Sequence, residues 1–556
     1  MRMVRGYQHY WLGILLCFCI TRGEASDMPG IDAATHSLAV PVESALEDGL
    51  AIDWPQIERL YESQQQRYIW HQDGVLSTRG RALFRWLAAA DLEGLEAKDY
   101  HLDHLLKLVS NPSRAVAVNR ELLLSDGYIK LARDLRLGRH DPQSVDPYWM
   151  LPKEDFDPVA VLAEAIAENR LQQLLDSLRP VDDGYMRLKR ALAKYRAIQA
   201  AGGWITVLAD RTLRPGDRDP AVAMLRERLA GVSHRLEAEG SDPNRYDDAL
   251  TEAVKGFQQR HGLAVDGVVG PETLRSLNDP IENRIAQIRA NLERWRWLPH
   301  ELESPHLMVN TAGFEISLIN EGRVVFHKRT VNGRQQRQTP SFSSRVTHLV
   351  TNPLWTVPRS IAVKDMLPQL QLDSGYLASK QIRAYTRLDG QWAEVDALDI
   401  PWEKYHEGNF PFVLKQDPGR RNSLGRIKFH MPNPHQIFLH DTPARALFER
   451  PNRAYSSGCV RVEAAEQLAG LLIDHGERPQ RDWLHQALHN GETLIEPLSK
   501  PMPVYLTYFT NWVDITGDIH FRPDIYQRDT ALMLAMGEGV EQMTARHLGR
   551  AENPSL

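Results

Sequence analysis

The sequence predicts a multidomain α+β protein in which a helical scaffold and a small three-helix unit precede a mainly-β C-terminal domain. Two patterns support this prediction. Apolar residues recur every three or four positions across the N-terminal part, whereas short alternating or continuous apolar runs between turn residues fill the C-terminal part. The chain has 556 residues, several times the roughly 150 residues of a typical domain, so three or four folded units are expected.

The N-terminal residues have the features of a secretory signal peptide. Arg2 and Arg5 supply a positive start, an apolar run follows from 11 to 20, and small residues suited to cleavage stand at 23 and 25. The run is shorter than the roughly 20 apolar residues that span a membrane. We predict a signal peptide over 1–25 and a flexible leader over 26–48, with an uncleaved N-terminal anchor as the alternative.

The composition is that of a soluble globular protein with an acidic charge balance. Hydrophobic residues make up 42%, charged residues 25%, and the formal net charge is −6. A negative chain is poorly suited to nucleic acid or to an anionic membrane. We therefore expect no nucleic acid partner, and membrane contact only through an uncleaved signal peptide.

The sequence predicts a helical scaffold domain over residues 49–205. Leu124, Tyr128, Leu131 and Leu135 follow one another at steps of four, three and four, which places them on one helix face. No polar group in this region has the spacing of a catalytic site. A structural role is therefore expected.

The sequence predicts a compact unit of three short helices over residues 214–278. Val222, Leu225 and Leu229 share one helix face, and a second helix carries Val254 and Phe257. A tight turn and a last short helix complete the unit. The following segment, 281–299, has apolar residues at helical spacing and is predicted to be an amphipathic linker helix.

The mainly-β domain, predicted over 305–515 before a C-terminal tail over 516–556, contains the one cysteine expected in the mature chain, Cys459. Cys17 and Cys19 both lie within the predicted signal peptide. A single thiol cannot form an internal disulfide, and an oxidising compartment makes a free thiol a liability. Nucleophilic catalysis gives a reason to keep it.

His440 is the predicted base for this thiol. The run 436–440 resembles a strand, and the chain returns in an extended form at 459–462, so two neighbouring strands can bring imidazole and thiol together. The imidazole can then take the proton from a thiol whose ordinary pKa is ~8.5. Gly458 lets a carbonyl approach the backbone, and N–H groups around Gly458 and Cys459 are predicted to stabilise an oxyanion.

Zinc binding is the competing interpretation of the same segment. His430, His435 and His440 recur at steps of five, and Cys459 follows. A step of five places successive side chains on opposite faces of a strand, and two prolines interrupt the run. No metal and no other cofactor is therefore predicted.

The motifs of this domain resemble those of the YkuD-type L,D-transpeptidase catalytic domain. The matching segments are His440-Asp441-Thr442-Pro443, Ser456-Ser457-Gly458-Cys459-Val460-Arg461 and Asn352-Pro353-Leu354-Trp355. Ser457 is a departure, because the commoner family motif has histidine there. Residues 253–270 resemble the small three-helix peptidoglycan-binding domain of wall enzymes, and the chain after the leader resembles the large periplasmic murein L,D-transpeptidases.

The resemblance implies a periplasmic enzyme that joins third-position diamino acids of peptidoglycan stem peptides and releases the terminal D-alanine. Cys459 would form a thioester, and His440 would act as general acid and base, oriented by a backbone carbonyl near Asp441. Stem peptides and glycan strands would be the partners, with other wall synthases as further candidates. Residues 365–425 resemble a substrate-capping insertion.

Supporting roles follow from the same resemblance. Ser456 would assist the oxyanion or orient the histidine, and Ser457 stands beside the nucleophile. Four residues are candidate substrate contacts: Arg461, Tyr455, Phe429 and Trp355. The alternative for Arg461 is that it braces the loop. The alternative for the three aromatic residues is a place in the wall of the cleft or in the core.

Two other functions remain open from sequence. A wall carboxypeptidase or endopeptidase would use the same pair of residues and pass the acyl group to water. A non-catalytic wall-binding protein would leave Cys459 unreactive, so that a carbapenem would not acylate it. The sequence also does not distinguish an enzyme that cross-links stem peptides from one that attaches a lipoprotein to the wall.

Overall fold

The computed structural model describes residues 50–108, 114–230, 242–474 and 481–537. The predicted signal peptide over 1–25 and leader over 26–48 lie outside these residues, as does the predicted tail after 537. Helices dominate up to Arg296 and strands dominate after it, which confirms the expected multidomain α+β class. Among the described helices, none combines the length and the apolar character needed to cross a membrane.

The N-terminal helices pack around one long helix, α4. Its residues Leu124, Tyr128, Leu131 and Leu135 all lie in one buried core, which confirms their shared face. The elements are α1 (Trp54–Ser63), β1 (His71–Gln72), β2 (Val75–Leu76), α2 (Thr78–Ala88), α3 (Leu102–Leu108), α4 (Arg114–Leu137), α5 (Pro142–Val145), α6 (Pro158–Ala167), α7 (Leu171–Ser177) and α8 (Asp183–Ala200).

Three short helices form the next unit, as predicted. They are α9 (Pro220–Ala230), α10 (Asp248–Arg260) and α11 (Pro271–Leu277). Val222, Leu225 and Leu229 meet Val254 and Phe257 in a separate core.

The next helix, α12 (Ile281–Arg296), is more than the amphipathic linker that its apolar spacing predicts. Its polar face is buried as well as its apolar face. Arg294, for example, is fully buried and forms an ion pair with Asp529, far along the chain. A buried charge needs such a partner, so α12 is a central element on which distant parts of the chain converge.

A nine-stranded sheet builds the C-terminal domain. The elements are β3 (His306–Asn310), β4 (Glu315–Asn320), β5 (Arg323–Gly333), β6 (Phe342–Thr351), β11 (Ile427–His430), β12 (Leu439–His440), β13 (Ala454–Ser456), β14 (Val460–Val462), α16 (Ala465–Asp474), α17 (Arg481–Asn490) and β15 (Leu494–Thr507). The strand order in the sheet is β13-β5-β14-β12-β11-β6-β15-β3-β4, and β4 also pairs with β5, so that the sheet closes on itself.

An insertion between β6 and β11 has its own sheet and its own apolar core, between Val357 and Leu414. The elements are β7 (Trp355–Thr356), α13 (Arg359–Ile361), α14 (Leu367–Leu372), α15 (Tyr376–Ser379), β8 (Ile382–Leu388), β9 (Gln391–Val395) and β10 (Val413–Gln416). The strand order in this sheet is β7-β10-β8-β9.

The described part of the predicted tail is folded. Its strand β17 (Ile519–Phe521) forms a hairpin with β16 (Asn511–Val513), which lies just before the predicted tail, and the chain continues to the helix α18 (Arg528–Ala535). Leu532 and Met533 of α18 join the core that contains Ile288 and Leu292 of α12. The chain after β15 therefore returns to the centre of the molecule.

Candidate active site

His440 and Cys459 lie on adjacent parallel strands. In the pairing of β12 with β14, Leu439 is opposite Val460 and His440 is opposite Arg461. Side chains alternate along a strand, so Cys459, two residues before Arg461, projects from the same face as His440. Leu439 and Val460 point the other way, into the core. The structure thus brings the predicted thiol and imidazole to one face of the sheet.

The strand before His440 is shorter than the predicted run 436–440. Only Leu439 and His440 are paired, and Gln436 has a φ of 56°. The side chain of Asn433 hydrogen-bonds both the N–H and the carbonyl of Ile437. This polar turn ends the extended conformation that the apolar spacing favoured.

A main-chain carbonyl holds the His440 ring. Nδ1 lies 2.5 Å from the carbonyl oxygen of Asp441, which is the type of acceptor predicted for it. A carbonyl only accepts hydrogen bonds, so this contact assigns the proton to Nδ1 and leaves Nε2 as the basic nitrogen.

The Asp441 carboxylate does not face the histidine. Its Oδ2 accepts the N–H of Arg426 at 2.9 Å, and its Oδ1 lies 2.6 Å from Arg445. Gly425 makes this packing possible: its φ is +64°, and a Cβ there would lie 2.4 Å from Oδ2. Sequence analysis did not single out Gly425, because its partner Asp441 lies in a different strand connection and no local pattern links the two.

Burial makes both reactive groups neutral at rest. Burial and then the positive charge of Arg461 lower the pKa of His440 to about 3. Burial also raises the pKa of the Cys459 thiol, although Lys428 and Arg461 act in the opposite direction. The pair is therefore a thiol and a neutral imidazole on one face of the sheet, an arrangement in which an imidazole can accept a proton from a thiol.

Two cations lie beside this pair. Lys428 is directly opposite His440 on β11, and its Nζ lies 3.7 Å from the centre of the Phe438 ring. Arg461 is on the other side of His440, and its Nε is buried without a hydrogen-bond partner among the described residues. Sequence reasoning selected Arg461 but missed Lys428, whose position on alternating β11 was the available signal.

The nucleophile loop, residues 456–459, is held by its own polar groups. The Ser456 hydroxyl donates to the carbonyl of Cys459 and accepts the N–H of Gly458 at 3.1 Å. This corrects two predictions. Ser456 braces the loop and does not orient the histidine, and the Gly458 N–H is already bonded, so the Cys459 N–H is the remaining candidate for an oxyanion donor in this described loop.

Ser457 connects the nucleophile loop to the insertion. Its hydroxyl accepts a hydrogen bond from the guanidinium of Arg337 at 3.0 Å, and the same guanidinium donates to the carboxylate of Asp365 at 2.5 Å. The Asp365 carboxylate also accepts a hydrogen bond from the guanidinium of Arg334 at 2.8 Å. The residue that departs from the family motif therefore belongs to a polar link between the loop and Asp365 of the insertion.

The three predicted aromatic contacts occupy different environments. Tyr455 is 42% exposed beside the nucleophile loop, with Arg450 over its ring, so a substrate can reach it. Trp355 is partly buried against the core of the insertion. Phe429 is fully buried in the core on the opposite face of β11 from Lys428, which removes it from the candidate substrate contacts.

The histidines weighed as zinc ligands do not converge. His430 stacks on His348 with ring centres 4.3 Å apart, and also on Phe438 at 5.6 Å. Within the described ranges, no three side chains of histidine, cysteine, aspartate or glutamate are grouped to hold a metal ion.

Comparison with protein families finds three matches along the chain. Residues 55–192 match the "Scaffold domain". Residues 218–277 match the "Putative peptidoglycan binding domain", and residues 304–478 match the YkuD "L,D-transpeptidase catalytic domain". The conserved-domain match ends before β15, although β15 pairs within the same sheet.

Among curated proteins, the chain is similar to a protein of Haemophilus influenzae named "Putative L,D-transpeptidase". The two are 35% identical over 256 residues, which is 46% of this chain and 50% of the relative. The chain therefore spans about half the length of this curated relative.

Two solved structures are also similar to parts of the chain. One is an L,D-transpeptidase of Xylanimonas cellulosilytica, with 15% identity, 54% of this chain and 99% of that chain covered, and a TM-score of 0.18. The other is an L,D-transpeptidase of Stackebrandtia nassauensis, with 11% identity, 53% and 94% covered, and a TM-score of 0.21.

Proposed function

We propose that the chain is an L,D-transpeptidase that cross-links peptidoglycan, since its residues 304–478 match the YkuD L,D-transpeptidase catalytic domain. The proposed reaction joins the third-position diamino acids of two stem peptides and releases the terminal D-alanine of one. The observation that carries the proposal is the shared sheet face of His440 and Cys459.

In the first proposed step, the sulfur of Cys459 attacks the carbonyl carbon of the third residue of the donor stem. The thiol proton passes to Nε2 of His440, and the same proton reaches the amine of D-alanine as its C–N bond breaks. A thioester remains on Cys459. The neutral imidazole and the Nδ1 bond to Asp441 support this role for His440.

In the second proposed step, the side-chain amine of another stem attacks the thioester carbon. A new amide bond forms, the C–S bond breaks, and one amine proton returns through His440 to the sulfur. One amide bond has replaced another, so no energy source beyond the donor stem is needed. The Cys459 N–H is the proposed donor to the oxyanion in both steps.

Arg461 and Lys428 are proposed to recognise substrate carboxylate. Both cations adjoin the reactive pair, and both are partly buried, with burial lowering their pKa values. In the described part of the chain neither forms an ion pair with a carboxylate. A stem peptide carries carboxylates close to the bond that would be broken, so a substrate can supply the missing negative charge.

The other regions support a wall substrate. The match of 218–277 to a peptidoglycan-binding domain supports contact with glycan strands. The insertion, tied to the nucleophile loop through Asp365, is proposed to cap the bound stem and exclude water, which favours an amine as acceptor. We propose a periplasmic, wall-associated location, since peptidoglycan lies there, and other wall synthases as further partners.

A product assay tests the proposal. Protein without the leader is incubated with disaccharide-tetrapeptide beside Cys459→Ala, and the products are identified by mass spectrometry. A cross-linked dimer formed with loss of D-alanine, absent in Cys459→Ala, is the expected result. Acylation of Cys459 by a carbapenem gives a second, substrate-independent measurement.

The other candidate functions predict different products. Tripeptide monomer without dimer indicates a carboxypeptidase that transfers the acyl group to water. Cleavage of preformed dimers indicates an endopeptidase. No product and no acylation by a carbapenem together leave a wall-binding protein and contradict the proposal.

A further inference from the structure

We propose that Tyr526 and Arg528, which lie beyond the matched catalytic domain, are positioning residues for the nucleophile loop. This inference rests on the proposed function and deepens it. It assigns part of the active-site architecture to a segment that the sequence presented only as a tail.

Tyr526 holds both ends of the segment 333–339, here called the bracing segment. Its hydroxyl donates to the carbonyl of Gly333 at 2.6 Å and accepts the N–H of Thr339 at 3.4 Å. The ring is 4% exposed and stacks on Tyr508 with centres 5.4 Å apart. Both hydrogen bonds of the Tyr526 hydroxyl are therefore made with a segment nearly 200 residues away in sequence.

Arg528 fixes the same segment from the first turn of α18. Its guanidinium donates to Oε1 of Gln338 at 2.9 Å and to the carbonyl of Thr339 at 3.0 Å. Arg528 is 4% exposed, so these bonds form where water does not compete. The planar guanidinium holds a side chain and a backbone carbonyl at once, which a lysine cannot reproduce.

The bracing segment in turn holds the nucleophile loop. The Thr339 hydroxyl accepts the N–H of Gly333 at 2.9 Å and donates to the carbonyl of Gly458 at 2.7 Å. The N–H of Arg334 donates to the carbonyl of Ser456 at 2.9 Å. The contact with the Gly458 carbonyl therefore comes from Thr339, which Tyr526 and Arg528 both bond, and the contact with Ser456 comes from Arg334, next to Gly333, which Tyr526 bonds. The third contact, from Arg337 to Ser457, is supported by Asp365 instead.

The backbone at Gly458 depends on such support. Its φ of +118° is a conformation that glycine adopts readily but that packing must select. The carbonyl of Gly458 belongs to the same peptide group as the Cys459 N–H, the candidate oxyanion donor. A bond that orients this carbonyl also orients that N–H, because the peptide group is planar.

Tyr526→Phe is the test variant, measured in the full chain without the leader. It keeps the stacked ring and removes both hydroxyl contacts. Two rates at Cys459 are compared: acylation by a carbapenem, which passes through an oxyanion, and alkylation by iodoacetamide, which does not. We expect acylation to fall about ten-fold to a hundred-fold, since small displacements in an active site have such effects, while alkylation stays within about two-fold.

Tyr128→Phe is the matched control, because it removes a buried tyrosine hydroxyl from the scaffold helix α4. Its acylation rate should equal that of the unmodified protein. Arg528→Lys keeps the charge and is expected to lower acylation as Tyr526→Phe does. Equal rates in Tyr526→Phe and the unmodified protein, or a parallel loss of acylation and alkylation, overturn the inference.

Amide hydrogen exchange keeps the inference testable if the proposed function fails. In Tyr526→Phe, peptides covering 333–339 and 456–459 should exchange faster, while peptides from α4 should be unchanged. Unchanged exchange at 456–459 overturns the positioning role. Lack of acylation in the unmodified protein, with faster exchange in the variant, contradicts only the proposed function.

Discussion

The Nδ1 atom of His440 donates to the main-chain carbonyl of Asp441 at 2.5 Å. In the serine protease triad a carboxylate performs this orienting task, and it also stabilises the imidazolium that forms. Here the acceptor carries no net charge, and the Asp441 carboxylate contacts Arg426 and Arg445 instead. The imidazole is therefore oriented without a neighbouring negative charge that would raise its pKa.

The first prediction separates the backbone of Asp441 from its side chain. His440→Gln should lower the rate of carbapenem acylation by ~10²–10⁴, the usual contribution of a general base. Asp441→Asn keeps the main-chain carbonyl that orients the ring, so its acylation rate should fall by about ten-fold or less. Stopped-flow acylation rates check both variants, and equal losses would mean that the carboxylate serves the histidine.

The second prediction concerns the pH dependence of the thiol. Because burial raises the pKa of Cys459 and the pKa of His440 is lowered to about 3, the thiol stays mostly protonated at neutral pH and its thiolate fraction keeps increasing as the pH is raised. The iodoacetamide alkylation rate should rise steadily from pH 6 past the ordinary thiol pKa of ~8.5. A plateau already reached at neutral pH would indicate a preformed thiolate–imidazolium pair. The unfolded protein in denaturant, whose thiol titrates normally, is the control.

The third prediction concerns Gly425. In Gly425→Ala the new Cβ would overlap the carboxylate of Asp441 and would occupy a left-handed conformation. We expect a loss of about 1–3 kcal/mol in the free energy of unfolding and a lower acylation rate, measured by urea denaturation and stopped flow. Gly470→Ala, in α16 with open space around its Cβ, should be neutral or slightly stabilising. Equal stability of Gly425→Ala and Gly470→Ala would contradict the close packing.

The fourth prediction concerns the link between the insertion and the nucleophile loop. Asp365→Asn removes the charge that pairs with Arg334 and Arg337. If the insertion excludes water, the variant should form more tripeptide relative to cross-linked dimer, by about two-fold to ten-fold. Quantified products from the tetrapeptide assay check this ratio. Glu403→Gln, at an exposed position of the same insertion, should leave it unchanged.

The fifth prediction concerns the buried ion pair between α12 and α18. Arg294→Met leaves the buried carboxylate of Asp529 without its cation and should cost about 3–5 kcal/mol of unfolding free energy. The double variant Arg294→Met with Asp529→Leu should recover part of that loss. Urea denaturation measures both. Arg275→Met, at an exposed position on α11, should change stability by less than about 0.5 kcal/mol, and a similar cost at both sites would refute the buried pair.

Local patterns predicted much of the architecture correctly. The apolar spacing of α4 and of the three-helix unit corresponds to buried faces in the structure. Both periods follow from backbone geometry within a few residues, so they can be recognised without knowledge of the rest of the chain. A place in the core was one of the alternatives predicted for Phe429, and the structure confirms it. The sequence alone did not decide between them, because an aromatic residue in a strand fits a core and a cleft wall equally well.

The sequence by itself selected the candidate reactive pair. A single cysteine in the expected mature chain and a histidine at the end of an apolar run were sufficient to select Cys459 and His440 as partners. Only the tertiary structure decided what surrounds them: Lys428 opposite the imidazole, the bonded Gly458 N–H, and Tyr526 and Arg528 behind the loop. These contacts join residues that are distant in the chain, and they depend on which surfaces meet when the sheet closes and α18 packs on α12. Hydrogen bonds of this kind leave no periodic pattern in the sequence, since each needs a single partner at one position rather than a repeated face.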